Sequence, residues 1–493
     1  MRLTELFAES GVDPDACEGD PNITALSADS RAAKPGSMHV CMPSGRTDTH
    51  HYAESAAKAG AIAVLSYSRE GYESLRGRFP GTALIEADRY PDALWRIARA
   101  FHQQPGMAMK MVGITGTNGK TTTAWLLYQA LMKLSGPSVY LGTIGFHLPG
   151  AVREAANTTP FPVELFQMLA DARDSGAESL VMEVSSHALA ERRADGCDFD
   201  IGIFTNLTQD HLDFHGTMEA YEQAKWRLFS DLPDESCKPF TAVLNTDDPV
   251  GANWASAFQG SLLTYGFESG DVRGRRLQTR LSSLEMAIHY GKDEAVVHAG
   301  LGGSFNAWNI LSSVAGLVAL GYPLANAAEA LASAKAAPGR FESVKNHAGI
   351  EILVDYAHTP DALEKLLLAA KELTTGRLIA VFGCGGDRDP DKRPKMAAAV
   401  SKIADLTIIT SDNPRTEDPE KILNQVEKGI APGAEYKRIS DRAEAVAAAI
   451  AASQAGDTVV VAGKGHENYQ IIGTTKTHMD DRELIRDALG ARA

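Results

Sequence analysis

The run KMVGIT, Lys110 to Thr115, is β-rich and apolar, and it ends in GTNGKTTT before the amphipathic stretch AWLLYQAL begins. An uninterrupted apolar strand must be covered on both faces, so this order of strand, glycine turn and helix commits the chain to a mostly parallel sheet flanked by helices. The turn leaves the N–H groups of the first helical turn unpaired and aimed along the helix axis, an arrangement that attracts phosphate. Lys120 is placed to reach the outer phosphates of a nucleotide, and Thr121 to put a hydroxyl on Mg²⁺. The strict spacing G-x-x-x-x-G-K-[ST] is not met, because Ile114 stands where the first glycine belongs, with Gly113 and Gly116 on either side. Gly116, Thr117, Asn118, Gly119, Lys120, Thr121 and Thr122 are the candidate nucleotide-binding residues. The competing reading is an ordinary glycine-rich turn.

Further strands are expected at SLVMEV, DIGIFTN and TAVLNT, and a hairpin around Gly291 and Lys292 joins two alternating runs. A long Ala-rich helix is expected after GGSFNAWN. The first hundred residues hold shorter apolar runs, SMHVCM, AIAVLSY and GTALIEA, and FHQQPGMAMK reads as a linker. After AAPGRFE comes a third unit with strands IEILVDYA, RLIAVFGCG, DLTIITS and DTVVVAG. Their carboxyl ends run into DYAHTPD, GCGGDRD, SDNPRTED and GKGHENYQ, all rich in Asp, Arg, His and Gly. Ligands of open parallel sheets sit at those ends. A length of 493 residues suits about three domains, and the breaks place them at 1–107, 108–338 and 339–493.

A net charge of −15 argues against a general nucleic-acid surface. No window is apolar enough for a membrane span, and the N-terminus carries acids rather than a signal-peptide core. The five cysteines are scattered with no C-x-x-C pair, as in a reducing cytoplasm. HENYQ lacks the second histidine of a zinc-protease helix, and no G-x-S-x-G is present.

Glu183 ends one strand with His187 four residues on, and His211 follows another. Acid and histidine at neighbouring strand ends could share a metal with the phosphates. Either histidine alone is more simply a structural hydrogen-bonding group, and the His211–His215 spacing leaves zinc as a lesser option. Lys225, in YEQAKWRLF, reads from its spacing as a surface lysine.

Taken together, GTNGKTT, EVSSH, TNLTQDHLDFHG, YEQAKWRLF, NAWN, PGRFE, DYAHTPD, GCGGDRDPDKRP, DNPR and GKGHE resemble the Mur ligase family, in its order, from residue 113 to the end. SADSR and MPSGRTDTHHY match more loosely. The resemblance is strongest to the branch that adds meso-diaminopimelate to UDP-N-acetylmuramoyl-L-alanyl-D-glutamate. It implies an α/β fold of three domains: a UDP-binding α/β domain, a central P-loop ATPase with a mostly parallel sheet, and a Rossmann-like C-terminal domain. It implies an ATP- and Mg²⁺-dependent amide ligase of peptidoglycan precursor synthesis, cytoplasmic and monomeric. Lys225 becomes a carbamylated metal ligand beside Thr121, Glu183 and His211. Asn306 and Asn309 are placed at adenosine, Arg340 at the γ-phosphate, and Asp355 and His358 near ribose and phosphates. Asn157, Thr158, Thr159, Ser185, Glu191 and Arg193 would meet the sugar peptide, with Glu191 standing where close relatives carry Gln. Ala28, Ser30, Gly45, Arg46 and Thr47 would meet the UDP end. Arg388, Asp412, Asn413, Pro414, Arg415, Gly463 and Glu467 would hold the incoming amino acid. A lysine-adding relative and a ligase similar to folylpolyglutamate synthetase are the alternatives; the latter should lack the sugar-nucleotide domain and DNPR.

Overall fold

The structure, a computed structural model, describes residues 1–43, 48–87 and 92–492. Its contacts divide the chain into two units: Met1–Ala124 with Leu131–Thr264, and Trp125–Ala130 with Tyr265–Ala493.

The first unit holds two sheets. The N-terminal one runs in the order Ala16–Cys17, Ala83–Glu86, Ala63–Ser66, Ser37–Val40, Ala25–Ser27. It is parallel except for its first strand. Leu3, Leu6, Leu94 and Ile97 cover it from two helices. In the second sheet the strands stand as Thr241–Asn245, Ile201–Phe204, Lys110–Thr115, Ser179–Glu183, Ser138–Gly142, Gly145–Leu148, Ala151–Arg153. The first five are parallel and the last two fold back as antiparallel strands. Lys110–Thr115 lies between Ser179–Glu183 and Ile201–Phe204, with Ile114 opposite Glu183 and Thr115 opposite Phe204. GTNGK, VSSH and TNLTQDH therefore leave one sheet edge side by side. The glycine at 113 rather than 114 answers to packing, since a Cβ there would lie 2.9 Å from the Phe199 ring.

An ionic cluster in this unit sets a pH dependence. Buried Asp195 binds Arg192 and Arg227, and Arg192 also binds Glu235 Oε1 at 2.8 Å. Glu235 Oε2 is buried with no hydrogen-bond partner among the described residues, and burial followed by the charge of Asp195 pushes the Glu235 carboxyl up to about 7. The folded protein thus holds a proton that the unfolded chain releases lower down, so the stability this gives is lost as pH rises toward 7. Glu235→Gln should weaken that dependence and gain about 1 kcal/mol relative to wild type between pH 5 and 8, after solvent screening. Denaturant melts at the two pH values test it; parallel curves for both proteins would remove Glu235 as the cause.

The second unit begins with antiparallel strands Val272–Thr279, Leu284–Tyr290 and Asp293–Ala299. The last two form the expected hairpin, Tyr290 facing Asp293 around Gly291. The single long helix expected next is two, Asn306–Ala319 and Leu324–Ala332. Gly321, in the left-handed region at φ 93°, and Pro323 break it. The six-stranded sheet that follows runs Glu342–Ser343, Glu351–Asp355, Thr458–Ala462, Leu378–Cys384, Leu406–Ser411, Tyr436–Arg438. Its four long strands are parallel neighbours, so the four polar loops share one edge. Three principal sheets of mostly parallel strands bear out the expected fold class. All five cysteines are free, and among the described residues no helix is long and apolar enough to cross a membrane.

Candidate active site

The candidate phosphate loop is built by its neighbour. Gly116 adopts φ 142°, and a Cβ on it would fall 1.9 Å from Thr205 Oγ1. Thr117 N and Asn118 N donate to Asn206 O and Oδ1 at 2.8 and 3.1 Å. Thr205 Oγ1 and Asn206 Nδ2 donate to Asn118 O, and Thr208 N donates to Thr117 Oγ1. Gly119 precedes the helix Lys120–Leu134 in a left-handed conformation, and no side chain caps that helix. Its first N–H groups stay available for an anion.

Two lysines converge on one carbonyl. Lys120 Nζ donates to Gly116 O at 2.9 Å and to Thr117 O at 3.0 Å, and Lys225 Nζ donates to Gly116 O at 2.9 Å. Lys225 is only 1% exposed, which corrects the surface reading of its spacing. The helix Met218–Trp226 turns Tyr221, Ala224 and Lys225 inward onto the loop. Burial first, and then the Lys120 charge, pull the Lys225 amine well below its ordinary pKa.

Glu183 is fully buried with both oxygens engaged. Thr121 Oγ1 donates to Oε2 at 2.8 Å, Thr143 N donates to Oε1 at 2.9 Å, Thr143 Oγ1 reaches Oε2 at 3.2 Å, and Tyr140 OH also donates to Oε1. Gly142 keeps the space open, since a Cβ there would lie 2.3 Å from Glu183 Oε1. A carboxylate beside a threonine hydroxyl at the mouth of a phosphate loop is the hard-oxygen donor set that Mg²⁺ takes. His211 follows the strand Ile201–Phe204. It sits at φ 52°, half-exposed, with its ring 4.8 Å from His187. Among the described residues, no group of three His, Cys, Asp or Glu side chains is arranged to hold a metal ion. His215 is engaged elsewhere, Nε2 lying 3.0 Å from Ser186 Oγ.

The expected sugar-peptide residues gather around the same strand end. Thr159 Oγ1 donates to Glu183 O at 2.8 Å and accepts from Ser185 N, and Thr158 Oγ1 lies 3.1 Å from Thr143 Oγ1. Arg193 stacks 3.9 Å over Phe161 and bonds Thr159 O. Its Nε donates to Glu191 Oε2 at 2.7 Å, so the charge of Glu191 is taken up by Arg193. Asn157 is on the same segment, half-buried. At the N-terminal sheet, Ala28 precedes a short helical turn, Ser30–Ala32, capped by Asp29. Gly45, Arg46 and Thr47 lie outside the described residues.

In the second unit, Asn309 Nδ2 donates to Asn306 Oδ1 at 2.8 Å, and both are buried. Arg340 lies 4.8 Å over the Tyr356 ring, and its buried Nε has no hydrogen-bond partner among the described residues. Asp355 accepts from Phe341 N and Ala357 N; burial raises its carboxyl, against the pull of Arg340. His358 is exposed, Nδ1 lying 2.8 Å from Tyr356 O.

The loops after Cys384 and Ser411 are zipped together. Gly386 N donates to Asn413 O, and Arg415 Nη1 donates to Gly386 O at 2.8 Å. Arg415 holds φ 51°, fixed by its N–H to Ile471 O and its carbonyl from Gly473 N. Such backbone strain persists only where surroundings impose it. Asn413 Nδ2 donates to Glu467 Oε2 at 2.8 Å. Gly463, at φ 112°, would put a Cβ 2.9 Å from Asp412 Oδ2. Arg388 lies in the first of these loops, whose Gly385 has Arg388 Cγ and Arg415 Nη1 as neighbours. Sequence reasoning missed the residues that support this array: Arg393, whose guanidinium binds Glu417 and Gly385 O, and Arg442, whose pair with Asp481 also holds Ala462 O.

Residues 114–317 match the model of the Mur ligase middle domain, and residues 339–465 match that of the Mur ligase, glutamate ligase domain. The chain belongs to the Mur ligase family. It is 42% identical to the UDP-N-acetylmuramoyl-L-alanyl-D-glutamate--2,6-diaminopimelate ligase of Gloeobacter violaceus, over 100% of this chain and 99% of that one. A solved structure of an enzyme with that name shares 33% identity at a TM-score of 0.69, covering 100% of this chain and 99% of the other. The MurF ligase of Thermotoga maritima, solved with ADP, shares the fold at 20% identity and a TM-score of 0.63, covering 95% of this chain and 98% of its own. As a Mur ligase, the chain is an ATP-dependent, ADP-forming amide ligase.

Proposed function

We propose that this Mur ligase joins meso-diaminopimelate to UDP-N-acetylmuramoyl-L-alanyl-D-glutamate. The observation that carries the choice of amino acid is the strand-end array in which Arg415, locked at a left-handed φ, stands on loops shared with Arg388, Asn413 and Glu467. Diaminopimelate differs from lysine by a carboxylate beside its far amine. Arg415 and Arg388 would take that carboxylate through charge-assisted bonds. Glu467 and the Gly463 carbonyl would take the adjacent ammonium, with Asp412 and Pro414 shaping the loop.

Residues 1–107 are assigned to the UDP end through Ala28, Ser30, Gly45, Arg46 and Thr47, residues 108–338 to nucleotide and ligation, and 339–493 to the amino acid. Asn157, Thr158, Thr159, Ser185 and Arg193 are assigned to the sugar peptide, and Glu191 orients Arg193. Asn306 and Asn309 are assigned to adenosine, Asp355 and His358 to ribose and phosphates, and Arg340 to phosphate charge. A cytoplasmic monomer is the proposed form, with sedimentation as its check.

The chemistry follows from charge. A carboxylate is a poor electrophile, so the D-glutamyl carboxylate first takes a phosphoryl group and becomes an acyl phosphate; the amine then displaces phosphate, loses a proton and an amide forms. The loop N–H groups and Lys120 hold the phosphates against the anionic carboxylate and stabilise charge on the transferring group. Thr121, Glu183, His211 and a carbamylated Lys225 would hold Mg²⁺, which supplies further charge neutralisation when bound. Arg193 and Thr159 orient the acceptor peptide.

Phosphate release should require ATP, the UDP dipeptide and diaminopimelate together. Arg415→Ala should lower kcat/KM for diaminopimelate roughly 100-fold or more while leaving KM for ATP and the UDP dipeptide nearly unchanged. Steady-state kinetics with diaminopimelate and L-lysine decide it. A wild type that uses lysine equally well, or a variant that keeps its preference, would overturn the specificity.

A further inference from the structure

Lys464 is a fully buried lysine among the loops proposed to take the amino acid, and the chemistry above leaves it unused. It is 0% exposed, at the end of the strand Thr458–Ala462, inside GKGHE. Burying an ammonium is costly unless it is paired and hydrogen-bonded. Its partners come from two loops. Nζ donates to Asn413 Oδ1 at 3.2 Å, lies 3.5 Å from Glu467 Oε2 and 3.9 Å from Asp412 Oδ1, and stands 5.5 Å from the Tyr469 ring centroid. Asn413 is fixed further by Ile471 N, which donates to the same Oδ1 at 3.0 Å, and Gln470 Nε2 donates to Asp412 O at 2.7 Å.

The consequence is asymmetric for Glu467. Its Oε2 is held from below by Asn413 Nδ2 and Lys464, while the side chain keeps 17% of its surface. One carboxylate oxygen is anchored, and Oε1 has no hydrogen-bond partner among the described residues. We infer that Lys464 is a positioning residue for amino-acid recognition: it fixes Glu467 and Asn413 in the rotamers that receive the ammonium of the amino acid, and does not itself touch that substrate. This rests on the assignment of Asp412–Arg415 and Glu467 to the amino acid. The simpler competitor is a buried ion pair that only stabilises the sheet.

The experiment is steady-state kinetics on the full chain with all three substrates varied, for wild type, Lys464→Met, Glu467→Gln and the double variant. Lys464→Met is expected to raise KM for diaminopimelate on the order of 10- to 100-fold, with KM for ATP and for the UDP dipeptide within about twofold of wild type. Because Lys464 acts through Glu467, the double variant should raise KM no more than Glu467→Gln alone. Additive effects, or an unchanged KM for diaminopimelate in Lys464→Met, would overturn the inference. Should Lys464→Met fail to fold, Lys464→Gln, which keeps a donor for Asn413, is read in the same way: a raised KM for diaminopimelate alone supports the role, and wild-type kinetics overturns it. A wild type that releases no phosphate with diaminopimelate would instead refute the amino-acid assignment beneath it.

Discussion

Lys120→Ala is expected to lose ligation almost completely, by about 10³-fold or more in kcat, while keeping its fold. The amine contacts Gly116 O and Thr117 O from a half-buried position at a helix start, where water can replace it, so little stability depends on it. Its proposed catalytic contribution is different in kind. A positive charge aimed at a transferring phosphoryl group, within a loop whose N–H groups are already oriented, is worth several kcal/mol in the transition state and much less in the ground state. The expected signature is a collapsed kcat with a thermal melt close to wild type, read by phosphate release and circular dichroism. Turnover within a few-fold of wild type would remove the loop from the chemistry and leave only a glycine-rich turn.

Lys225→Ala should be nearly as damaging, and for a reason that makes it recoverable. The Lys225 amine is held well below its ordinary pKa by burial and by Lys120. An amine kept neutral can attack CO₂ and lose a proton, leaving a carbamate in place of a cation. The missing group in the alanine variant would then be an oxyanion, so added acetate should restore part of the activity, whereas added ammonium or methylamine should not. Structural collapse is not expected, because Gly116 O still accepts from Lys120. A Lys225→Ala enzyme with full activity at ordinary Mg²⁺ would show that the buried lysine serves only to pin the loop. Rescue by the amine and not by acetate would show that it acts as a cation.

Much of the architecture was written in local pattern. Apolar strands of the right length, closed by glycine and followed by amphipathic runs, can be read from side-chain periodicity because each strand must bury both faces. The four polar stretches after Asp355, Cys384, Ser411 and Ala462 were legible as strand ends, and neighbouring parallel strands make them one edge. The glycine turn between Lys110–Thr115 and Lys120–Leu134 was equally visible, since its signature lies in consecutive residues. The break between Asn306–Ala319 and Leu324–Ala332 was missed although Gly321 and Pro323 mark it, because the alanines on both sides give one continuous helical period.

Local pattern thus specified the alternation of elements, the glycine loop between strand and helix, and the polar stretches that gather at one edge of a parallel sheet. Long-range packing set which charges are buried and against what. Lys225 looked like any helical lysine until packing placed its amine on Gly116 O, 109 residues away. The donors around Glu183 come from Thr121, Tyr140 and Thr143, and Lys464 and Glu467 meet Asn413 across two strands. The physical reason is range. Periodicity and turn chemistry act over a few residues, whereas desolvation and ion pairing depend on which distant segments the sheet order brings together.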